Sequence, residues 1–369
     1  MPELHGGNLD AAARRLGCRP GQLLDASASL VPFSPPWRLR WALARAALRP
    51  YPDRSYGALR QAIAALHALP DEAVLPGNGA AELFTWAARD AAALGPSLLP
   101  EPGFADYRRA LQCWSGAHLS WPLPLEASGA ASRPLPPPPA EPAAAAIWIT
   151  NPHNPTGQLW TRPSLEVLLS RYALVICDEA FLPLVPGGEA QSLVPLLAEH
   201  PNLVVIRSLT KLFGIAGLRL GYALGDPERL RRWSRWRDPW PVNSLAAAAG
   251  ERLLRKPAAY HRWCVRVQDW TAQEGAWMHA ELSRLPGLTP LASAANFVLI
   301  RAEGSLQPLR EALESRHRIL LRDCRSFEGL GETWLRIGYQ RPRQNRRVLA
   351  ALRQELTYAL SSSSSPASS

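Results

Sequence analysis

The segment Ser208–Gly221, S-L-T-K-L-F-G-I-A-G-L-R-L-G, sets a lysine just after an apolar run and follows it with glycines, an arginine and a further glycine. The chain has two lysines, Lys211 and Lys256, so any chemistry that needs an amine has two candidates. Lys211 has the suitable neighbours. An amine held in a tight loop at a strand end can add to a carbonyl and keep it covalently, while Ser208 and Arg219 offer a hydroxyl and a guanidinium to a phosphate. A lone lysine in a glycine-rich loop would be surface decoration, but three further motifs agree with it. P-G-N-G-A-A-E (Pro76 to Glu82) opens a helix whose amides at Gly79 and Ala80 make an anion cradle. N-P-H-N-P-T-G presents Asn154 from a turn, able to donate to an oxygen of the bound group. C-D-E-A-F puts Asp178 at the carboxyl end of a buried strand, where parallel sheets place their ligands and a carboxylate can keep a ring nitrogen protonated. Singly, the asparagine and the aspartate read equally well as a turn and a helix cap.

In this order and spacing the four motifs resemble those of fold type I pyridoxal-phosphate enzymes, the class I/II aminotransferase superfamily, over nearly the whole chain. Within it the sequence looks most like the threonine-phosphate decarboxylases of cobalamin synthesis, with the histidinol-phosphate aminotransferases beside them. The segments that favour the former are H-G-G-N (His5 to Asn8), G-Q-L-L-D-A-S-A-S-L (Gly21 to Leu30), P-G-F-A-D-Y (Pro102 to Tyr107), D-E-A-F (Asp178 to Phe181) and D-P-W-P-V-N-S-L-A (Asp238 to Ala246). The resemblance implies an α/β fold, with a mixed, mostly parallel sheet in a large domain and a smaller α+β domain. It implies pyridoxal 5'-phosphate as cofactor, with Lys211 as its Schiff-base lysine, Asp178 on the pyridinium nitrogen, Asn154 on the ring oxygen and Phe104 stacked on the ring. Gly79, Ala80, Ser208 and Arg219 would hold the phosphate. In a homodimer, Tyr56 would reach the phosphate of the neighbouring subunit's cofactor. One departure from the aminotransferase pattern is Phe181, where a tyrosine commonly bonds the ring oxygen; the decarboxylases share the phenylalanine.

L-L-R-D-C and W-L-R-I-G place Arg322 and Arg336 at neighbouring strand positions. Two guanidinium forks facing one cavity suit a substrate with a carboxylate and a phosphate. By resemblance Arg336 takes the carboxylate, and Arg322 and His5 stand near the substrate phosphate. The expected reaction is therefore decarboxylation of O-phospho-L-threonine to (R)-1-aminopropan-2-yl phosphate and carbon dioxide. The alternative is a histidinol-phosphate-type aminotransferase using the same residues. A more distant reading is a nucleic-acid-binding or regulatory protein on this fold, prompted by a net charge of +10 and by Arg229, Arg231, Arg232, Arg235 and Arg237 interleaved with Trp233 and Trp236. A solvated helix face with inward tryptophans explains that cluster without a ligand, so no nucleic-acid partner is expected.

These groups must be positioned by alternating strands and helices. From about residue 73 apolar runs ending in Gly, Pro or Asn feed helices, the grammar of a parallel sheet. Strands are expected at the start of V-L-P-G-N-G, at S-L-L-P-E, and over 146–150, 173–177 and 203–208, with helices over 9–16, 37–48, 56–68 and 80–93. After Asn243 a long helical stretch precedes strands near 296–301, 319–322 and 333–337, a helix over 306–317 and a last one over 343–360. The chain is thus divided into an arm, 1–40, joining the small domain; a large cofactor-binding domain, 41–243; a small domain, 244–360; and a disordered serine-rich tail, 361–369. Residues 122–142 hold much of the excess among 36 prolines and read as an expendable surface connection of polyproline character.

With 47% hydrophobic and 20% charged residues, the 369-residue chain is neither disordered nor fibrous. Its five cysteines form no metal-type or disulfide-type spacing, so no metal is expected and a cytoplasmic setting fits best. No apolar stretch reaches the length of a membrane span, and the start lacks a signal-peptide pattern.

Overall fold

Short runs rich in Leu, Ile and Val, buried on both faces, become the strands of one central sheet, as a parallel sheet covered by helices requires. The computed structural model describes residues 6–126, 129–141 and 143–363. In chain order the strands are β1 (Val74–Asn78), β2 (Ser97–Glu101), β3 (His118–Pro122), β4 (Ala146–Thr150), β5 (Leu174–Asp178), β6 (Leu203–Ser208) and β7 (Leu220–Gly225). They form a seven-stranded sheet in the order β1-β7-β6-β5-β4-β2-β3. Only β7 runs against the rest, pairing antiparallel with both β1 and β6. Every residue of β4, β5 and β6 is buried.

Two of these strands, β3 and β7, were not foreseen. β3 lies at the sheet edge and is only partly buried, so its apolar signal is weak. β7 begins within the glycine-rich loop of Lys211, and its flanking Gly221 and Gly225 read as loop residues. Tertiary packing demands that first glycine: a Cβ on Gly221 would stand 2.8 Å from the amide nitrogen of Ala80.

The helices that connect and cover this sheet are α1 (Leu9–Arg15), α2 (Trp37–Ala44), α3 (Gly57–His67), α4 (Ala80–Leu94), α5 (Ala105–Gln112), α6 (Arg162–Arg171), α7 (Leu209–Phe213) and α8 (Pro227–Trp236). Local signals set their starts: Asp226 accepts from the Arg229 amide to cap α8, with Pro227 in its first turn. Next come α9 (Ser244–Leu254) and the long α10 (Pro257–Leu282). α9 packs on α2, α3 and β7, whereas α10 leads to a second sheet.

That sheet is antiparallel and four-stranded, from β8 (Thr289–Pro290), β9 (Phe297–Arg301), β10 (Arg322–Asp323) and β11 (Trp334–Gly338), in the order β8-β9-β11-β10. α10 packs on β8 and β9, and α11 (Gln307–His317) and α12 (Pro342–Ser363) pack on one another, α11 against the strand at Ile319–Leu320 and α12 against α10. The N-terminal arm is bound to this part of the chain: Leu24 and Asp25 pair in parallel with Ile319 and Leu320. The Gly338 amide also donates to Ala26 O at 2.7 Å. Of the expected tail, 364–369 lie outside the described residues.

The proline-rich connection, expected to be an expendable surface segment, is anchored at its centre and partly buried. Ser132–Arg133 pairs with Leu159–Trp160, and Leu135 is 6% exposed with its amide given to Ser164 Oγ at 2.9 Å. A leucine between two prolines finds a place in the core that composition could not announce. No helix among the described residues is long and apolar enough to cross a membrane.

Candidate active site

The carboxyl ends of the parallel strands and the four-stranded sheet enclose a cavity of about 260 Å³. Its wall includes Ala80, Phe104, Asn154, Asp178, Ser208, Lys211 and Arg219, together with Arg322 and Arg336 from the second sheet. Residues spread over more than 250 positions of sequence thus meet in one place, where a parallel α/β sheet ordinarily binds its ligand.

Lys211 sits in the single-turn helix α7, directly after β6. Burial chiefly, with the positive charges of Arg336 and Arg219, pushes its amine down to about 8, against the pull of Asp178. Its Nζ lies 5.8 Å from the ring centre of Phe181, which packs edge-on against Phe297. Asp178 ends β5, with one oxygen accepting from the Tyr107 hydroxyl at 2.6 Å and the other from the Ala180 amide at 2.9 Å. Burial raises this carboxyl to about 6, the two hydrogen bonds opposing. Tyr107 is in turn 2.7 Å from Thr150 Oγ1, so Asp178 is fixed by a buried chain of hydroxyls.

Immediately behind these residues, strand alternation turns Glu179 and Arg207 away from the cavity. Arg207 Nε donates to Glu179 Oε2 at 2.8 Å and its Nη1 to Glu189 at 2.7 Å. Glu179 also accepts from the Leu193 amide at 2.8 Å and from Ser192 Oγ at 2.9 Å, so the buried charges are paired and solvated by protein.

At the other wall, Ser208 caps α7, with its hydroxyl 2.7 Å from Thr210 Oγ1. Gly79 turns the chain from β1 into α4 at φ 74°, and a Cβ there would stand 2.5 Å from Arg219 Nη2. Only glycine leaves room for the guanidinium beside the first amides of α4. Phe104, half-buried at the start of α5, packs against Tyr107 at 5.7 Å.

Arg322 and Arg336 are direct cross-strand partners on β10 and β11. Arg336 donates to Asn154 Oδ1 and, at 3.3 Å, to Ser27 O; its buried Nε has no hydrogen-bond partner among the described residues. Burial first and Arg322 second push its guanidinium down to about 10, a pocket short of negative charge. Arg322 Nη2 donates to Ser326 Oγ at 2.6 Å, and its guanidinium lies 5.1 Å from the centre of Phe327.

Two expected site residues stand apart. His5 lies outside the described residues. Tyr56 does not reach toward a second subunit: it is 3% exposed, and its hydroxyl donates to Val242 O at 2.9 Å and accepts from Val242 N at 3.1 Å. Its left-handed backbone, φ 48°, at the start of α3 turns the ring inward. The exposed tyrosine of the same turn is Tyr51, stacked on Trp240 with ring centres 4.2 Å apart. Residues that motif reading missed are Ser27, Ala28 and Ser29 of the arm, and Tyr107, Thr210 and Phe327. The arm segment did carry a signal, D-A-S-A-S, in which Asp25 Oδ1 accepts from Ser27 Oγ at 2.6 Å and fixes the loop.

The donor set therefore provides an amine, a carboxylate at the strand ends and a cradle of amides with a guanidinium, and it fits a phosphorylated pyridine aldehyde. The Aminotransferase class I and II family pattern matches residues 25–352, and the chain belongs to that family. Its cofactor is pyridoxal 5'-phosphate. Among relatives, the threonine-phosphate decarboxylase of Salmonella typhimurium is 38% identical over 364 residues, covering 96% of either chain. A histidinol-phosphate aminotransferase of Symbiobacterium thermophilum is 33% identical over 330 residues, 85% of this chain and 86% of its own. The fold matches a solved histidinol-phosphate aminotransferase from Sinorhizobium meliloti in complex with pyridoxal-5'-phosphate, with TM-score 0.82 at 20% identity, over 97% of this chain and 96% of that one.

Proposed function

We propose that this chain decarboxylates O-phospho-L-threonine to (R)-1-aminopropan-2-yl phosphate and carbon dioxide, a step of cobalamin synthesis. The observation that carries the reading is the cross-strand pair Arg322 and Arg336 in the cavity that holds Lys211. One substrate with a phosphate and a carboxylate engages both forks at once. Similarity to the Salmonella decarboxylase over 96% of both chains supports it. An aminotransferase reading keeps the same residues and is supported by the 33% identical relative.

Pyridoxal phosphate, when bound, supplies an electron sink for the pair left on Cα when a bond there breaks. In this reading Lys211 is its covalent attachment point, Asp178 faces its ring nitrogen and Asn154 its ring oxygen. Gly79, Ala80, Ser208 and Arg219 hold its phosphate, and Phe104 covers the ring. Arg336 binds the substrate carboxylate and Arg322 the substrate phosphate, with His5 beside it. By anchoring both ends of the substrate, Arg322 and Arg336 would set which bond at Cα is presented to the electron sink and so decide the outcome. Phe181 places an apolar ring beside Lys211 and offers no hydroxyl to the ring oxygen. Lys211, its basicity lowered by its surroundings, would deliver to Cα the proton that replaces the departing carbon dioxide.

The test is incubation of purified holoenzyme with O-phospho-L-threonine and measurement of released carbon dioxide. Stoichiometric release supports decarboxylation; no release, with 2-oxoglutarate-dependent amino transfer from histidinol phosphate, establishes the aminotransferase instead.

The protein acts in this reading as a cytoplasmic homodimer. Trp37 and Trp41 of α2 are 66% and 59% exposed, and Tyr51 and Leu48 close by in sequence are each 76% exposed. So many large apolar side chains left open on one stretch of chain suit a second copy.

A further inference from the structure

A second cavity, of about 220 Å³, lies outside the site described above, between α3, α8 and the start of β1. Its polar lining is dominated by Arg54, Arg60, Arg231 and Arg237, with the hydroxyls of Ser55 and Ser234; Glu72 is the one acidic residue of the lining. Arg54 and Arg231 are exposed at the rim, and Arg60 and Arg237 are partly buried below them. The hydrogen bonds among described residues leave most of these donors uncommitted. Arg60 gives Nε and Nη2 to the single oxygen Asp71 O, Arg237 gives Nη1 to Pro76 O, and Arg231 gives Nη1 to Glu228. Arg54 lies over the Trp240 ring at 4.5 Å, a contact that uses its face and leaves its N–H edge open.

The charge balance points the same way. Arg237 is 3.6 Å from Glu82, whose other oxygen is occupied by the Asn78 amide at 2.6 Å. Burial, joined by the nearby Arg60 charge, still pushes the Arg237 guanidinium below its ordinary range. By contrast, Arg229 and Arg232 of α8 are already neutralised and its tryptophans are packed. Asp90 takes Arg229 at 2.6 Å and Arg232 at 3.6 Å, Trp233 is fully buried, and Arg89 lies over Trp236 at 3.2 Å. The arginine-rich motif thus divides, and the face bearing Arg231, Ser234 and Arg237 opens on this cavity.

We infer that this cavity is a binding site for a small phosphate-bearing anion, such as a free di- or polyphosphate or the diphosphate of a larger ligand. Four guanidinium groups line the cavity; Arg231 is paired with Glu228 and Arg237 lies near Glu82, yet most of their N–H donors remain to match the oxygens of a diphosphate, and the volume is below that of ordinary drug-sized pockets. The inference is independent of which reaction the family site catalyses.

The probe is inorganic pyrophosphate, titrated calorimetrically into holoenzyme at low salt. An R322Q holoenzyme removes the phosphate position proposed for the substrate, so binding that remains there reports the second cavity. The expected result is one pyrophosphate per chain in R322Q, weakened at least about tenfold when R54Q and R231Q are added. The R54K/R231K pair in the same background is expected to keep most of the affinity, because charge at the rim is what it preserves. In a chain with Arg322 intact, R54Q/R231Q leaves turnover and the bound-cofactor absorption unchanged. No binding in R322Q, an affinity indifferent to R54Q/R231Q, or lysine variants as weak as the glutamine ones overturns the inference. Displacement of the probe by a single-stranded oligonucleotide at far lower concentration also overturns it, in favour of a nucleic-acid surface.

Discussion

At the scale of residues, the proposed function divides the cavity into groups that would hold the cofactor and groups that would read the substrate. Arg322 and Arg336 belong to the second set, so Arg322→Gln and Arg336→Gln should each raise KM for the substrate about 10- to 100-fold, as loss of a charge-assisted hydrogen-bonded pair does. Cofactor binding should weaken less than substrate binding in both. An unaltered KM in both variants contradicts the two-anion cavity. Lys211 gives a pH prediction. Its amine must be neutral to attach the cofactor, and burial with two neighbouring arginines lowers it to about 8. Reconstitution of apoenzyme, followed by visible absorption, should therefore accelerate as pH rises toward 8 and level off above it. A lysine of ordinary basicity would keep accelerating about tenfold per pH unit up to pH 10. Lys211, Asp178 and Asn154 were legible in sequence because each stands in a short motif whose local structure is a strand end or tight turn. Tyr56 was not: its ring direction depends on one left-handed residue and on Val242, 186 positions away.

At the scale of elements, the site depends on how closely β7 approaches the turn from β1 to α4. Gly221 is the contact, with Gly79 C 3.0 Å and Ala80 N 2.8 Å from where its Cβ would be. Gly221→Ala must push that turn outward, moving the α4 amides away from the cofactor phosphate. Cofactor affinity should fall about tenfold or more, about 1.4 kcal/mol, measured by equilibrium titration of apoenzyme. Unchanged affinity would show that the turn can shift without cost to the cradle. The buried strands β4 to β6 were visible as apolar runs, and α8 as a helix with one solvated arginine face and inward tryptophans. β7 was hidden because glycines that a loop would also use are required here by strand-to-helix contact. The Leu135 anchor was hidden for a similar reason: nothing local in a proline-rich run marks one leucine as core.

For the whole molecule, the exposed aromatic residues near α2 and the net charge of +10 are the features that a single chain leaves open. The dimer reading predicts that wild-type protein sediments at twice the chain mass, and that Trp37→Glu with Trp41→Glu shifts it toward monomer, because two charges would then be buried at the interface. A wild-type monomer with full activity would refute it. Part of the positive charge is already used in pairs such as Arg207 with Glu179 and Glu189 and Arg229 with Asp90. The sequence by itself determined the family, the alternation of strands and helices and the choice of Lys211 as the candidate amine that the cavity contains, since these reside in local motifs and in hydrophobic patterning. Only the tertiary structure decided that Tyr107 fixes Asp178, that the arm supplies Ser27 to the cavity and that Tyr56 is a core residue. Each of these is a contact between segments far apart in the chain, set by register and packing rather than by neighbours in sequence.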